Sequence, residues 1–110
     1  MYLVHVPKED IVAFIDVDGS NVGGELFGKK VYSPIEGVTT DLGAEGLVCL
    51  HPEIENIRKY FMSLGVPEEI IFSQEDIGKL IGGRLTYKSA MVIGPEIING
   101  RKKLRYYLRN

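Results

Sequence analysis

Cysteine and histidine are scarce in this chain, and their scarcity excludes several kinds of site. Cys49 is the only cysteine, and His5 and His51 are the only histidines. One cysteine allows neither an intramolecular disulfide nor a cysteine-rich zinc site, which suits a reducing compartment. The histidines could bind zinc only with help from Asp or Glu, and we expect His51 to be an ordinary residue at a helix start. Cys49 lies in an apolar run, so we expect it to be a small buried hydrophobic residue.

Long apolar runs are also missing. No run approaches the roughly 18 residues that a membrane-spanning helix needs, and the start of the chain, MYLVHVPKED, is not a basic region followed by a long apolar one. We therefore expect a soluble, cytoplasmic protein. Gln74 is the sole glutamine while Lys, Glu and Ile are plentiful, a bias typical of thermophilic sources.

The chain does have enough apolar material for one core. Its 110 residues are 45% hydrophobic and 25% charged, which is sufficient for a single core but too short for two ordinary domains. We predict one α+β domain spanning residues 1–110.

Charge is unevenly distributed along the chain. Residues 1–78 carry 14 acidic and five basic side chains, whereas residues 79–110 carry eight basic side chains and only Glu96 as an acid. If the fold preserves this separation, the basic end suits a polyanion or the acidic part of a second copy. A homo-oligomer is therefore one expected assembly.

Hydrophobic periodicity and turn residues predict the order of the elements. Helices are predicted from Pro52 to residue 64 and from the capping residue Ser73 onward. Asn99-Gly100 predicts a hairpin turn before a terminal strand or helix whose apolar and basic residues alternate. Earlier strands are predicted at residues 2–6 and 11–17 (joined as a hairpin), 30–33 and 38–40 (around a Pro/Gly turn), 47–50, 70–72 and 90–93. The predicted fold is α+β: a mixed sheet of five or six strands, antiparallel at its start and end, with two helices packed on one face and a C-terminal β-hairpin.

One stretch, IVAFIDVDGSNVGG at residues 11–24, could carry chemistry. Side chains alternate across a strand, so Asp16 and Asp18 would lie on the same side of an extended chain. Two such carboxylates could hold Mg²⁺, which prefers oxygen ligands and leaves positions for water and phosphate. The alternative is an ordinary turn at Asp18-Gly19, with Asn21 bonded to its own backbone.

This stretch resembles two known motifs. Residues 14–20, FIDVDGS, resemble the first motif of haloacid-dehalogenase-type phosphotransferases, which implies Asp16 as nucleophile and Asp18 as acid/base. Residues 18–22, DGSNV, are similar to the opening motif of NYN/PIN-type nucleases, which implies Asp18 as a metal ligand. No recognisable second acidic motif follows for either family.

Two glycine pairs, Gly23-Gly24 and Gly82-Gly83, invite comparison with phosphate-binding loops. Neither fits the phosphate-loop or the dinucleotide-binding pattern. We interpret the second pair as a helix stop.

The basic C-terminal segment is the strongest surface feature of the sequence. Its cations can neutralise phosphates, while tyrosines such as Tyr87 and Tyr106 can stack on exposed bases. A solvated strand face whose charges protect an exposed edge is the alternative. The candidate anion-binding residues are Arg101, Lys102, Lys103, Arg105, Tyr107 and Arg109.

These features predict a small non-catalytic binding or assembly domain without a cofactor. Its basic terminal hairpin would contact an anionic partner: nucleic acid, a phosphorylated ligand or the acidic face of a second subunit. The alternative is a Mg²⁺-dependent phosphoesterase or nuclease centred on Asp16 and Asp18.

Overall fold

The computed structural model describes residues 6–50, 53–80, 84–94 and 108–109. It contains eight short strands and three α-helices within these ranges. The strands are β1 (Val6–Pro7), β2 (Ile11–Asp16), β3 (Glu25–Leu26), β4 (Lys29–Tyr32), β5 (Gly46–Cys49), β6 (Ile71–Ser73), β7 (Ser89–Ile93) and β8 (Leu108–Arg109). The helices are α1 (Pro34–Thr39), α2 (Ile54–Ser63) and α3 (Gln74–Gly78), with 3₁₀ turns at Lys8–Asp10 and Glu68–Ile70.

Six of the strands form one mixed sheet in the order β3-β4-β2-β7-β5-β6. All neighbours are parallel except β3 and β4, which form an antiparallel hairpin. The predicted α+β fold with a mixed sheet of six strands is confirmed. Strand β1 pairs in parallel with β8, outside this sheet.

Alternating side chains of the central strands build a core on each side of the sheet. Phe14 and Met91 point to one side, while Ile15 and Val92 point to the other. The first side also receives Val6 of β1, and we call it the β1 face. The second side is covered by α2 through Phe61, and we call it the α2 face. The β1-face core comprises Val6, Ile11, Phe14, Leu26, Val31, Val48, Leu50, Ile77, Leu85, Met91 and Ile93.

The two predicted helices form, but they pack on different faces. Ile54, Ile57 and Leu64 contact the α2-face core, as their spacing predicts, whereas Ile77 of α3 lies in the β1-face core. The helix that shares the α2 face is α1, whose Val38 packs there. Spacing within a helix shows which of its sides is apolar but not which side of a sheet it covers.

Helix α1 replaces the Pro/Gly turn and the strand that we predicted at residues 33–40. Ser33 caps it, because its Oγ accepts the Glu36 N–H at 3.2 Å and donates to Glu36 Oε1 at 3.0 Å. Pro34 then occupies the first turn, where its missing N–H costs nothing. Gly37 lets the helix approach β2, since a Cβ at this position would lie 2.6 Å from Ile15 Cδ1. The prediction of a second strand here was therefore wrong.

The predicted hairpin at the start of the chain is also wrong in the described residues. A 3₁₀ turn at Lys8–Asp10 leads from β1 into β2 without pairing them, and both neighbours of β2 are parallel to it. The described hairpin is β3–β4, closed by Phe27 and Gly28 with φ values of 52° and 76°. Positive φ at both positions is typical of a type I′ turn. Phe27 adopts this unusual conformation while its ring packs 6.4 Å from that of Phe14.

Other local predictions are confirmed. Strands β5, β6 and β7 form within a residue or two of the predicted bounds. Gly65 has a φ of 97° just after α2, and Ser73 and Asp76 form a complete capping box at α3. The predicted turn at Asn99-Gly100 and the helix start at Pro52 lie outside the described residues. Within the described ranges, no helix is long and apolar enough to span a membrane.

Candidate functional site

Five parallel strands have their carboxyl ends at the same end of the sheet. From β2 the chain moves to β4 on one side, and from β5 it moves to β6 on the other, with β7 between them. Ligands of open α/β sheets bind where such connections diverge, outside the carboxyl ends of the strands. Asp16, the last residue of β2, lies at this position.

Asp16 holds the loop that follows β2. Its side chain is 0% exposed. Oδ1 accepts the Asp18 N–H at 2.9 Å, and Oδ2 accepts the Asn21 backbone N–H at 3.0 Å and Asn21 Nδ2–H at 3.3 Å. A buried carboxylate is tolerated when hydrogen-bond donors surround it. This carboxylate is therefore the acceptor around which residues 17–21 turn.

Asp18 occupies a different environment from Asp16. It is exposed, and its Oδ2 accepts the Ser20 hydroxyl at 2.6 Å. Strand β2 ends before Asp18, so the two carboxylates do not continue along one strand face. Asn21 bonds Asp16 and Ser20 through its side chain instead of its own backbone. In the part of the chain that the structure describes, no three His, Cys, Asp or Glu side chains form a potential metal site.

The first glycine pair belongs to the β3–β4 hairpin. Gly23 N–H donates to Val31 O, Val31 N–H donates to Gly24 O, and Gly24 N–H donates to Asn21 O. Both glycine N–H groups therefore already have acceptors within the chain, and neither is directed at an anion. Gly82-Gly83, the second pair, lies outside the described ranges.

Cys49 is buried at the end of β5, as predicted. Burial raises the pKa of its thiol to about 12, against a smaller opposing effect of the Arg58 charge. A thiolate is the reactive form of cysteine, so this thiol is inert at neutral pH.

Arg58 and Asp76 cover the outer side of β6, which is the last strand on that side of the sheet in the described residues. Arg58 NH1 donates to Ile71 O at 3.3 Å and NH2 pairs with Asp76 Oδ2 at 3.3 Å, while Ser73 N–H donates to Asp76 Oδ2 at 2.8 Å. Burial opposes ionisation of Asp76, but the hydrogen bonds from Ser73 and Arg58 and the Arg58 charge outweigh it, so its pKa lies below the usual value. Two main-chain groups of an edge strand are thereby occupied, which limits pairing with other chains.

The described cations of the basic end occupy three different environments. Lys79 pairs with Glu75 at 3.4 Å on α3. Lys88 pairs with Asp10 at 3.3 Å and donates to Glu9 O at 2.9 Å, which fixes the loop before β7 to the turn after β1. Arg84, in the same loop, is exposed.

The predicted anion-binding residues lie mostly outside the described ranges. Arg101, Lys102, Lys103, Arg105 and Tyr107 belong to this group. For Arg109 the structure gives the backbone, which pairs with Pro7 in the parallel β1–β8 ladder.

One contact at the basic end could not be predicted from the sequence. Tyr87 stacks on Phe72 with ring centroids 6.0 Å apart and an interplanar angle of 26°. The sequence marks Tyr87 as an aromatic residue among cations. It gives no sign that Tyr87 contacts Phe72, which lies 15 positions earlier in a predicted strand. Only the arrangement of β6 beside the loop before β7 reveals the pair.

A groove of about 290 Å³ lies on the α2 face between the loop before β5 and the end of α2. Its lining is apolar apart from main-chain groups, Thr40 and Asp41. Asp41 is the only ionisable side chain among the described residues that line it, so this part of the groove does not suit an anionic ligand.

No protein family, curated protein or solved structure matches this chain. The functional inference therefore depends on the charges and contacts described above.

Proposed function

We propose that this protein is a small binding domain whose basic C-terminal segment, residues 101–109, contacts an anionic polymer. The observation that carries the proposal is the parallel pairing of Leu108–Arg109 with Val6–Pro7. Val6 is fully buried in the β1-face core, so β1 is a firm attachment point. The end of the basic segment is thus tied to the folded domain, which reduces the entropy that it would lose on binding.

The basic segment carries more charge than the two acids beside its attachment point, Glu9 and Asp10, could neutralise. Asp10, close to β1 in the chain, is already paired with Lys88, so its charge is neutralised within the domain. Residues 101–109 contain five cations and no acid. A polymer with repeated phosphates would be attracted to such a segment and would release counterions on binding, which makes the affinity salt-dependent.

A charge-removal variant tests the proposal. The binding of a labelled single-stranded oligonucleotide is measured by fluorescence anisotropy at low and moderate salt. The test variant replaces four cations of the basic segment with serine: Arg101, Lys102, Lys103 and Arg105. The matched control removes the same number of charges outside this segment and away from β1: Lys29, Lys30, Lys59 and Lys79.

We expect the test variant to lose salt-sensitive binding and the control to retain most of it. Equal losses in both variants, or no salt-sensitive binding by the unmodified protein, would contradict the proposal. Light scattering at two ionic strengths identifies the remaining partner: a dimer that dissociates as salt rises would show that the acidic part of a second subunit is bound instead.

The second candidate is a Mg²⁺-dependent phosphoesterase or nuclease. It is favoured by the position of Asp16 and Asp18 at the carboxyl end of β2, where connections to neighbouring strands diverge. Mg²⁺ is often bound by one or two carboxylates together with substrate phosphates. With Asp16 buried, Asp18 would contact the ion and Asp16 would hold the loop. Replacing Asp18 with Asn should then abolish any metal-dependent hydrolysis without unfolding the protein.

A further inference from the structure

The loop that leads into β7 presents a tyrosine to solvent in a fixed position. Tyr87 is 50% exposed although its ring stacks on Phe72. The chain is anchored at the next two residues: Lys88 binds the turn at Glu9 and Asp10, and the buried Ser89 donates its hydroxyl to Tyr87 O at 2.9 Å. The tyrosine is therefore held in place before any partner binds.

This tyrosine and the attached end of the basic segment are linked to the same part of the domain. Leu85, in the Tyr87 loop, and Val6, in β1, are both buried in the β1-face core. Lys88 joins the loop to the turn that directly follows β1. Since β8 pairs with β1, residues 108–109 and the Tyr87 loop are both attached to β1 or to the turn that follows it.

We propose that Tyr87 stacks on an unpaired base, so that the anionic partner of this domain is a single-stranded nucleic acid. This inference rests on the proposed function, because the cations would hold the phosphates while the ring binds a base. Every base has an aromatic face, so such stacking tolerates different sequences. A tyrosine already stacked on one neighbour loses little conformational freedom when a base is added.

Two oligonucleotides with the same number of phosphates distinguish the contribution of base stacking from that of charge. One is a fluorescein-labelled oligothymidylate of about 15 nucleotides, and the other is an abasic strand of equal length. Tyr87→Ala and Tyr87→Phe are compared with Tyr60→Ala, the matched control. Tyr60 is 41% exposed, and its ring centroid lies 5.6 Å from that of a phenylalanine, Phe61. Unlike Tyr87, it lies on α2. Circular dichroism checks that each variant is folded.

We expect the unmodified protein to prefer oligothymidylate, and Tyr87→Ala to weaken its binding about tenfold. Binding of the abasic strand should not change. Tyr87→Phe and Tyr60→Ala should behave as the unmodified protein does, because the first keeps the ring and the second lies elsewhere.

The failures of the two proposals are distinguishable. Equal binding of both strands by the unmodified protein, with the expected loss in the charge-removal variant, would overturn the role of Tyr87 and leave the polyanion function intact. Unchanged oligothymidylate binding by Tyr87→Ala, or an equal loss in Tyr60→Ala, would do the same. No binding of either oligonucleotide by the unmodified protein would overturn both.

Discussion

Replacement of Asp16 should destabilise the fold, because its carboxylate holds the loop after β2. Asp16→Ala removes the acceptor for three hydrogen bonds, two of them from the backbone N–H groups of Asp18 and Asn21. Hydrogen bonds to a charged acceptor contribute about 1.5–3 kcal/mol each. Asp18 is exposed and Asn21 is half-buried, so their N–H groups can regain water in the variant. We therefore expect a net loss of about 2–4 kcal/mol in the free energy of unfolding.

Asp16→Asn gives a more specific result. The amide keeps one acceptor oxygen but places an NH₂ group against a backbone N–H donor, so we expect a loss of about 1–3 kcal/mol. The matched control is Asp18→Asn, which alters an exposed carboxylate that accepts only the Ser20 hydroxyl, and its effect should stay within about 0.5 kcal/mol.

Urea unfolding followed by far-UV circular dichroism measures these effects. With a slope of about 1–1.5 kcal/mol per molar urea, the loss for Asp16→Ala should lower the midpoint by about 2 M. A loss of stability in Asp16→Ala that is no larger than the loss in Asp18→Asn would refute the reasoning. In that case the three hydrogen bonds to the Asp16 carboxylate would not support the fold.

Three further predictions concern packing, pH and thiol reactivity. Gly37→Ala should destabilise the protein by about 1–2 kcal/mol in urea unfolding, because its Cβ would lie 2.6 Å from Ile15 Cδ1 and 2.8 Å from Ile15 Cγ1. Adding Ile15→Ala, which removes both atoms, should cost less than the sum of the single changes. The pKa of Asp76 is lowered from 3.8 in the folded state, so its carboxylate stabilises the fold above that pH and this contribution disappears as the pH falls further. Asp76→Asn should therefore reduce stability at neutral pH and have a smaller effect at about pH 3, measured by urea unfolding at both values. Cys49 should react with a thiol reagent such as DTNB only after urea unfolds the protein, because burial raises the pKa of its thiol to about 12.

Each of these predictions has a contradictory outcome. Additive costs for Gly37→Ala and Ile15→Ala would show that helix α1 is not packed tightly against β2 at this position. An Asp76→Asn effect that is the same at both pH values would show that the negative charge is not what stabilises α3. Rapid labelling of Cys49 in the folded protein would place its thiol at the surface.

The sequence allowed good predictions where local chemistry decides the structure. Helix α2 has its apolar residues in one stripe and glycine after its last turn, and the Ser73–Asp76 capping box depends on two residues three positions apart. Such features need no information about distant parts of the chain. Helix α1 carries the same local signals. Ser33 is its cap, Pro34 lies in its first turn and Glu36 bonds the cap. The prediction missed this helix because Gly37 suggested a turn.

Pairing between distant segments was beyond local patterns. The parallel ladder of β1 with β8 joins residues about 100 positions apart, and strand β7 inserts between β2 and β5 although it follows them both. Nothing in the apolar runs themselves distinguishes these arrangements from a hairpin. The two aspartates show the same limit. The alternation of side chains along a strand predicted that Asp16 and Asp18 share one side. The strand ends at Asp16, however, and the Asp16 carboxylate accepts hydrogen bonds from the loop backbone.

The most direct test of the proposed binding surface is a chemical-shift map of the isotopically labelled protein during titration with oligothymidylate. We expect the amide chemical shifts to change at Val6, at residues 84–88 and at residues 108–109, where the β1–β8 pair and the Tyr87 loop lie. The amide shifts of α2 should not change. Changes concentrated at residues 54–63 or in the loop at residues 17–24, with none near β1 and Tyr87, would contradict it.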